Sequence, residues 1–458
     1  MKKPKSILKQ ALTLLGLIAF SAALIEGVET DWQVGVASVD ITPAQPMLMS
    51  GYANRKEPFE SIGTRLYAKA MAMEDIEGNR GVIITADLIG FSGNVSEAIC
   101  DIITKATGIK RQSILLNASH THNGPMVERK MNLDLPEGLR EGVATYTRWL
   151  EKKAAEVAIA ALSNLDTASL WYGRGVDNAV MNRREFTDNG IKLGVNPAGL
   201  ADRSVPVLRV ADSEGRTIAA LFGAAAHNTT IKDQRLQING DYAGYAQMYL
   251  QSELPGVQAM FMLGCAGDAA PYPRGTVQLA QEHGKKLGEE VLRVLGEKMK
   301  PVHGPLRTAL KRVDLPLKEM SSRAELEQIA RTGASFQKFY ATGVLAMLED
   351  GKLPPKVYNA PFAAWRFGKD LTLVGLSGET CVGYVELTER AIGHRNLWVA
   401  GYCNDVYGYL PTTQMLSEGG YETRGLYSTI GLFVPETEPT VMETVSAIAR
   451  QIGRGFEN

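Results

Sequence analysis

Five short apolar runs in this chain stop abruptly in polar or glycine-rich sequence. SILLNA runs into Ser119-His120-Thr121-His122, and IAALFGAAA into His227-Asn228. VQAMFMLG soon reaches Gly267-Asp268, LTLVGLSG meets Glu379, and LWVAGY leads to Asn404-Asp405. Short apolar runs bounded by turn residues read as buried strands. In α/β sheets a ligand sits beyond the carboxyl ends of strands, where the backbone is rigid and loops are free to differ. Five such endings point to one pocket.

The segments between these runs are amphipathic. Residues 144–165 and 277–298 have helical periodicity, and 205–227 reads as a hairpin turning at Asp212-Ser213-Glu214-Gly215. A helical insertion is expected over about 320–352 and a closing helix over 440–453. No Pro/Gly/Ser-rich linker interrupts residues 31–458. The expected fold class is therefore α/β, a single large mixed-sheet domain with its active site at strand ends.

The first residues differ from the rest. Lys2, Lys3, Lys5 and Lys9 precede ALTLLGLIAFSAAL, and Ser21-Ala22-Ala23 offers small residues for cleavage. This is the layout of a signal peptide over residues 1–28, with an uncleaved N-terminal anchor as the alternative, and it predicts a secreted or periplasmic protein. A formal net charge of −1 gives no electrostatic case for a nucleic-acid partner. The cysteines Cys100, Cys265, Cys381 and Cys403 include no C-x-x-C pair, which argues against a cysteine zinc cage. In an exported protein, Cys381 with Cys403 is the expected disulfide.

The histidines carry the chemistry. His120 and His122 would project from the same face of an extended strand, as metal ligands or as one ligand and one substrate contact. His227 sits among small alanines at another strand end and reads either as a ligand or as a satisfied core histidine. Glu379 follows Ser377-Gly378; it is either paired or metal-bound, or the first acid of a helix GETCVGYVELTERAIG, whose dipole favours it.

Several motifs together resemble one family. VGVASVDITPAQPMLMSGYANR (34–55), ASHTHNGP, NRR (182–184), AHNTT…NGDYAGYAQ (226–247), GDAAPYPRG (267–275), SGE (377–379) and YGYLPTTQMLSEGGYE (407–422) resemble the N-terminal domain of neutral/alkaline non-lysosomal ceramidases. The resemblance implies one zinc ion per chain held by two histidines, a glutamate and a tyrosine. Matched motif by motif, these are His120, His227, Glu379 and Tyr409, with Tyr407 competing for the tyrosine position in YGY. It also places His122, Arg183 and Tyr421 in the pocket. Asp268 and Asp241 become second-sphere partners that orient histidines, or else turn and cap residues.

The chain departs from this family in one position that matters for chemistry. Ceramidases carry a serine in GD-x-S-P, and here Ala270 stands there, in Gly267-Asp268-Ala269-Ala270-Pro271. A methyl group is neither a nucleophile nor a hydrogen-bond donor. The resemblance therefore implies a shorter, ceramidase-like member without the family's serine, acting on something other than ceramide. The expected activity is hydrolysis of an amide (N-acyl) bond by metal-activated water. The alternatives are hydrolysis of an ester, lactone or glycan-linked bond, and a non-catalytic binding homologue. In this reading His122 shuttles protons, Arg183 and Tyr421 stabilise an oxyanion, and Arg274 of PYPRG reads a polar or anionic substrate group. The expected partner is a small molecule, N-acylated or lipid-like, with membrane contact allowed but not required.

Overall fold

The computed structural model describes residues 30–52, 55–128, 135–333, 335–427 and 430–457. The leader expected over residues 1–28 lies outside them. No helix among the described residues is long and apolar enough to cross a membrane.

Alternation along the strands sets the layers, because successive side chains point to opposite faces. In strand Tyr67–Asp75, Ala70 and Ala72 join one core cluster while Met71 and Met73 join another. The same split separates Ile84 from Ile83 in Arg80–Ala86, and Leu116 from Leu115 in Ile114–Ala118. These strands are buried on both faces, so their sequences read as continuous apolar runs rather than alternating ones.

The result is the large mixed sheet expected. From one edge the order is 258–263, 217–224, 204–212, 166–176, 32–40, 67–75, 80–86 and 114–118, with Lys300–Val302 also paired to 166–176. The edge pairs 217–224 with 258–263 and 80–86 with 114–118 are parallel, whereas the middle of the sheet is antiparallel. Helices Gly93–Thr107 and Glu137–Ser163 pack on one side of the sheet, and Asp241–Glu253 and Val277–Gly296 cover its other end. The hairpin turns where expected, with Gly215 at φ +78° and its amide donating to Asp212.

A second sheet was not apparent in the apolar pattern. Strands Leu306–Pro316, Val357–Phe367, Leu371–Gly375 and Leu397–Ala400 form it, the last two parallel. Its inner face, with Ala363, Trp365, Phe367, Leu373 and Trp398, packs on Met71, Met73, Met260 and Met262 of the large sheet. Its outer face is covered by helices Gly383–Ile392 and Thr437–Gln451. Helices Arg323–Thr332 and Ser335–Glu349 occupy the predicted insertion and share a small core of Leu326, Ala341 and Val344.

Asn117 clasps the two sheets. Fully buried in an otherwise apolar strand, it donates to the carbonyls of Leu263 and Gly401 and accepts from the Leu263 amide. Its side chain thus ties the ends of three of the five predicted strands together. The chain just beyond these strand ends forms the site.

Candidate metal centre

The two clustered histidines leave the strand before they reach the site. Strand Ile114–Ala118 ends two residues earlier, and His120 takes a left-handed φ of +62°. They therefore do not share a strand face, as the H-x-H spacing predicts. A turn brings the rings together instead, with His122 Nε2 3.2 Å from His120 Nε2. Tyr402 (φ +57°) and Asn404 (φ +63°), beyond another strand end, are left-handed as well. Left-handed non-glycine residues cost on the order of 1–3 kcal/mol each and persist where surrounding contacts hold them. Here the Tyr402 ring packs on His120, and the Asn404 amide donates to Leu116.

His120, His122 and His227 present ring nitrogens that all lie within 4.8 Å of one another. Glu379 joins them, with Oε2 3.1 Å from His227 Nε2 and 3.3 Å from His120 Nε2. The expectation that Glu379 opens a helix fails, because the helix begins only at Gly383. Glu379-Thr380 is instead a short strand running parallel to Tyr409-Leu410, with Glu379 in register with Tyr409. That pairing brings the Tyr409 hydroxyl to 3.4 Å from His227 Nε2. Tyr407 points the other way: its hydroxyl donates to the Ser377 carbonyl, and its ring packs on Tyr358 and Phe433.

The protonation pattern suits a cation. His120 Nδ1 lies 2.5 Å from the Ile89 carbonyl and His227 Nδ1 lies 2.6 Å from the Ala266 carbonyl. A carbonyl only accepts, so each Nδ1 carries a proton and each Nε2 is left facing inward, the atom whose lone pair a cation would take. Burial, reinforced by Arg183, lowers His227 to about 3, and burial also lowers His122 well below its ordinary value. Two neutral imidazole lone pairs and a carboxylate oxygen thus meet at one point with a phenol alongside. A divalent ion satisfies that electron-rich donor set, and its mixture of nitrogen and oxygen suits zinc.

His122 differs from the other two rings. Its Nδ1 has no partner among the described residues, and its Nε2 faces His120 Nε2 at 3.2 Å. It is partly exposed, whereas His120 and His227 are buried, so solvent reaches the cluster from its side. Gly51 makes room for it: a Cβ there would lie 2.7 Å from His122 Cβ and Cγ, at a φ of +106°.

Arg183 arrives on strand Val180–Thr187 and donates through Nη2 to the Tyr409 hydroxyl and to the Gly267 carbonyl, both at 2.8 Å. Its Nε faces Glu422 at 3.3 Å, and Glu422 also binds Arg184 at 2.7 Å. Tyr421 stands edge-on to Tyr409, half-buried at the mouth. Sequence reasoning passed over Glu422, because a glutamate between a tyrosine and a threonine carries no local mark of burial.

Of the two roles open to the aspartates, orienting the histidines is not the one they take. The Asp268 carboxylate accepts from the Val382 amide and from Asn182, and its carbonyl accepts from the Arg183 amide. It braces the Arg183 strand against the segment after Glu379. Asp241 accepts from the amides of Ile231 and Tyr242. Backbone carbonyls fill the orienting role, and no residue type announces them in sequence. The expected disulfide is also absent, since Cys381 and Cys403 are both free and buried.

Burial raises Asp268 from its ordinary 3.8 to about 6. The folded state therefore holds this proton more tightly than the unfolded chain does. Its contribution favours folding below about pH 4 and is lost as the pH rises through about 6. Asp268→Asn removes that titration, so the variant's stability relative to wild type rises between about pH 4 and 7, by up to about 3 kcal/mol. Urea unfolding at both pH values measures the difference, and a gap independent of pH would refute it.

Comparison with known proteins gives this geometry a family. The sequence profile of the neutral/alkaline non-lysosomal ceramidase N-terminal domain matches residues 32–277, more than half of the chain. The chain belongs to this family. Neutral ceramidase B of Dictyostelium discoideum is 26% identical over 275 residues, covering 54% of this chain and 36% of that protein. Neutral ceramidase of Drosophila melanogaster is 26% identical over 267 residues, covering 54% and 37%. These matches thus span little more than a third of either relative. Among solved structures, a ceramidase complexed with C2 superposes with a TM-score of 0.72 at 20% identity, over 94% of this chain and 77% of that one. The neutral ceramidase of Pseudomonas aeruginosa gives 0.70 at 20% identity, over 94% and 76%. At such identity the superpositions speak for the fold, a mixed α/β architecture common to this ceramidase-like chain and both structures.

Proposed function

We propose that this family member is a zinc-dependent hydrolase that cleaves an amide (N-acyl) bond of a small, lipid-like molecule other than ceramide. The observation that carries the reading is the meeting of His120 Nε2, His227 Nε2 and Glu379 Oε2, with both Nδ1 atoms anchored on carbonyls. His120, His227, Glu379 and Tyr409 would hold the metal. Zinc bound there supplies polarisation of a substrate carbonyl and a water nucleophile near neutral pH.

The rest of the work falls to this chain's own groups. Ala270 lies in the short strand Ala269–Pro271, whose Ala269 carbonyl accepts from the His227 amide, and it offers no nucleophile. Attack by water fits that substitution. His122, neutral and partly exposed, takes a proton from the attacking water and returns it to the leaving amine. Arg183 keeps Tyr409 in place and, with Tyr421, sets donors beside the carbonyl oxygen as charge develops on it. We also read the protein as exported, on the lysine-flanked apolar leader.

The test is a substrate panel of N-acyl amines, acyl esters and aryl glycosides, run on zinc-loaded and chelator-treated protein. Amide cleavage that vanishes on chelation and returns with zinc is the expected result. Cleavage of esters alone would overturn the amide assignment, and inertness of zinc-loaded protein toward the whole panel would overturn the hydrolase reading.

A further inference from the structure

Two arginines near the mouth of the site have no ion-pair partner among the described residues. Tyr52 stands edge-on to His122, ring centroids 5.1 Å apart, and its hydroxyl is buried without a partner among the described residues. The Arg55 guanidinium lies 5.0 Å from the Tyr52 ring. Arg55 is 4% exposed; Nη1 donates to the carbonyls of Ser50 and His122, while Nε and Nη2 are buried with no partner among the described residues. Arg274 follows on the loop after Ala270, partly buried, and among the described residues its side chain makes one hydrogen bond, to the Thr229 hydroxyl at 3.3 Å. Neither arginine has a carboxylate within ion-pair distance among the described residues.

The arginines deeper in the site differ. Arg183 and Arg184 are both paired with Glu422, and Arg184 with Glu418 as well. Unpaired guanidinium donors shielded from water are unfavourable unless an anion satisfies them. Burial indeed lowers the pKa of Arg55 to about 10 and lowers that of Arg274, with Arg183 pushing Arg274 the same way. Tyr52, within electrostatic reach of both arginines and of the buried Asp241 carboxylate, adds a hydroxyl donor, and Lys232 adds positive charge near Arg274.

We propose that Arg274, with Tyr52 and Arg55 behind it, forms a subsite for an oxyanion, so that the substrate is an acyl amide whose amine portion bears a carboxylate or sulfonate-like group. This rests on the hydrolase reading above for the reaction but not for the binding. A planar guanidinium matches such oxyanions through paired N–H donors. The Tyr52 contact with His122 places the anion beside the proton-carrying histidine.

The experiment compares N-hexanoylglycine, N-hexanoyl-β-alanine and N-hexanoyltaurine with the neutral N-hexanoylglycinamide. For at least one anionic member kcat/KM is expected to exceed that of the neutral amide by about tenfold or more, the effect of one charge-assisted contact. Arg274→Ala collapses that ratio toward unity, and Arg274→Lys restores part of it. Comparing glycine, β-alanine and taurine conjugates separates a carboxylate preference from a sulfonate one. A ratio near one in wild type, or one that Arg274→Ala leaves intact, overturns the subsite. Should no amide be hydrolysed, the amide assignment has failed, and calorimetry with N-hexanoyl-β-alanine still decides the subsite. Binding weakened about tenfold in Arg274→Ala then supports it, and equal binding overturns it.

Discussion

Glu379→Ala is expected to leave the purified protein with far less than one zinc per chain and to lower amide hydrolysis more than about a hundredfold. The reason lies in the distances. Among the described residues, Glu379 Oε2 is the one anionic atom that touches both inward-facing imidazoles, at 3.1 and 3.3 Å. Without it the site keeps neutral donors only, and a dication in a buried pocket loses its charge partner. Elemental analysis of the variant beside wild type reads the metal, and initial rates read the chemistry. Glu379→Gln keeps the shape and removes the charge, so it should resemble the alanine variant if charge is what matters. Full zinc occupancy with undiminished activity in either variant would sink the proposed centre.

The second large effect concerns stability. Glu422 is 1% exposed and neutralises Arg183 and Arg184, themselves buried. Glu422→Ala strands Arg183 in a low-dielectric interior and leaves Arg184 with Glu418 alone, and breaking a buried pair from one side typically costs about 3–5 kcal/mol. The urea midpoint should fall accordingly. Activity should fall too, since Arg183 is the donor that holds the Tyr409 hydroxyl. Removing both partners, as in Arg183→Met with Glu422→Leu, should recover part of the lost stability because no uncompensated charge remains on that pair. A loss under about 1 kcal/mol for the single change would mean that water reaches Arg183 after all.

Much of the site's location was legible before any coordinates. The five apolar runs end where side chains converge, because a buried strand must stop being apolar where it leaves the sheet and meets polar groups. His120, His227 and Glu379 each sit just beyond such an end. Two other readings went wrong for definite reasons. The H-x-H spacing implied a shared strand face, but the strand stops at Ala118 and His120 turns left-handed. The helical pattern after Ser377 offered Glu379 as a first helical acid beside the metal-bound reading, but the short strand Glu379–Thr380 comes first and the helix begins only at Gly383. Asp241 and Asp268 were attractive as orienting carboxylates, yet both are consumed by backbone amides.

The sequence by itself determined the class of fold, the helices over 144–165, 277–298, the insertion and the closing segment, the hairpin, and which strand ends carry imidazole and carboxylate, since burial and periodicity are written in neighbouring residues. Only the tertiary structure decided which atoms meet. The register of Glu379 with Tyr409, the carbonyls of Ile89 and Ala266 behind the imidazoles, the Glu422 pairing and the Tyr52–Arg55 contact with His122 all join segments distant in the chain. Several of these use backbone atoms, identical at every position. Such contacts depend on packing geometry, to which no local pattern of residue types is sensitive.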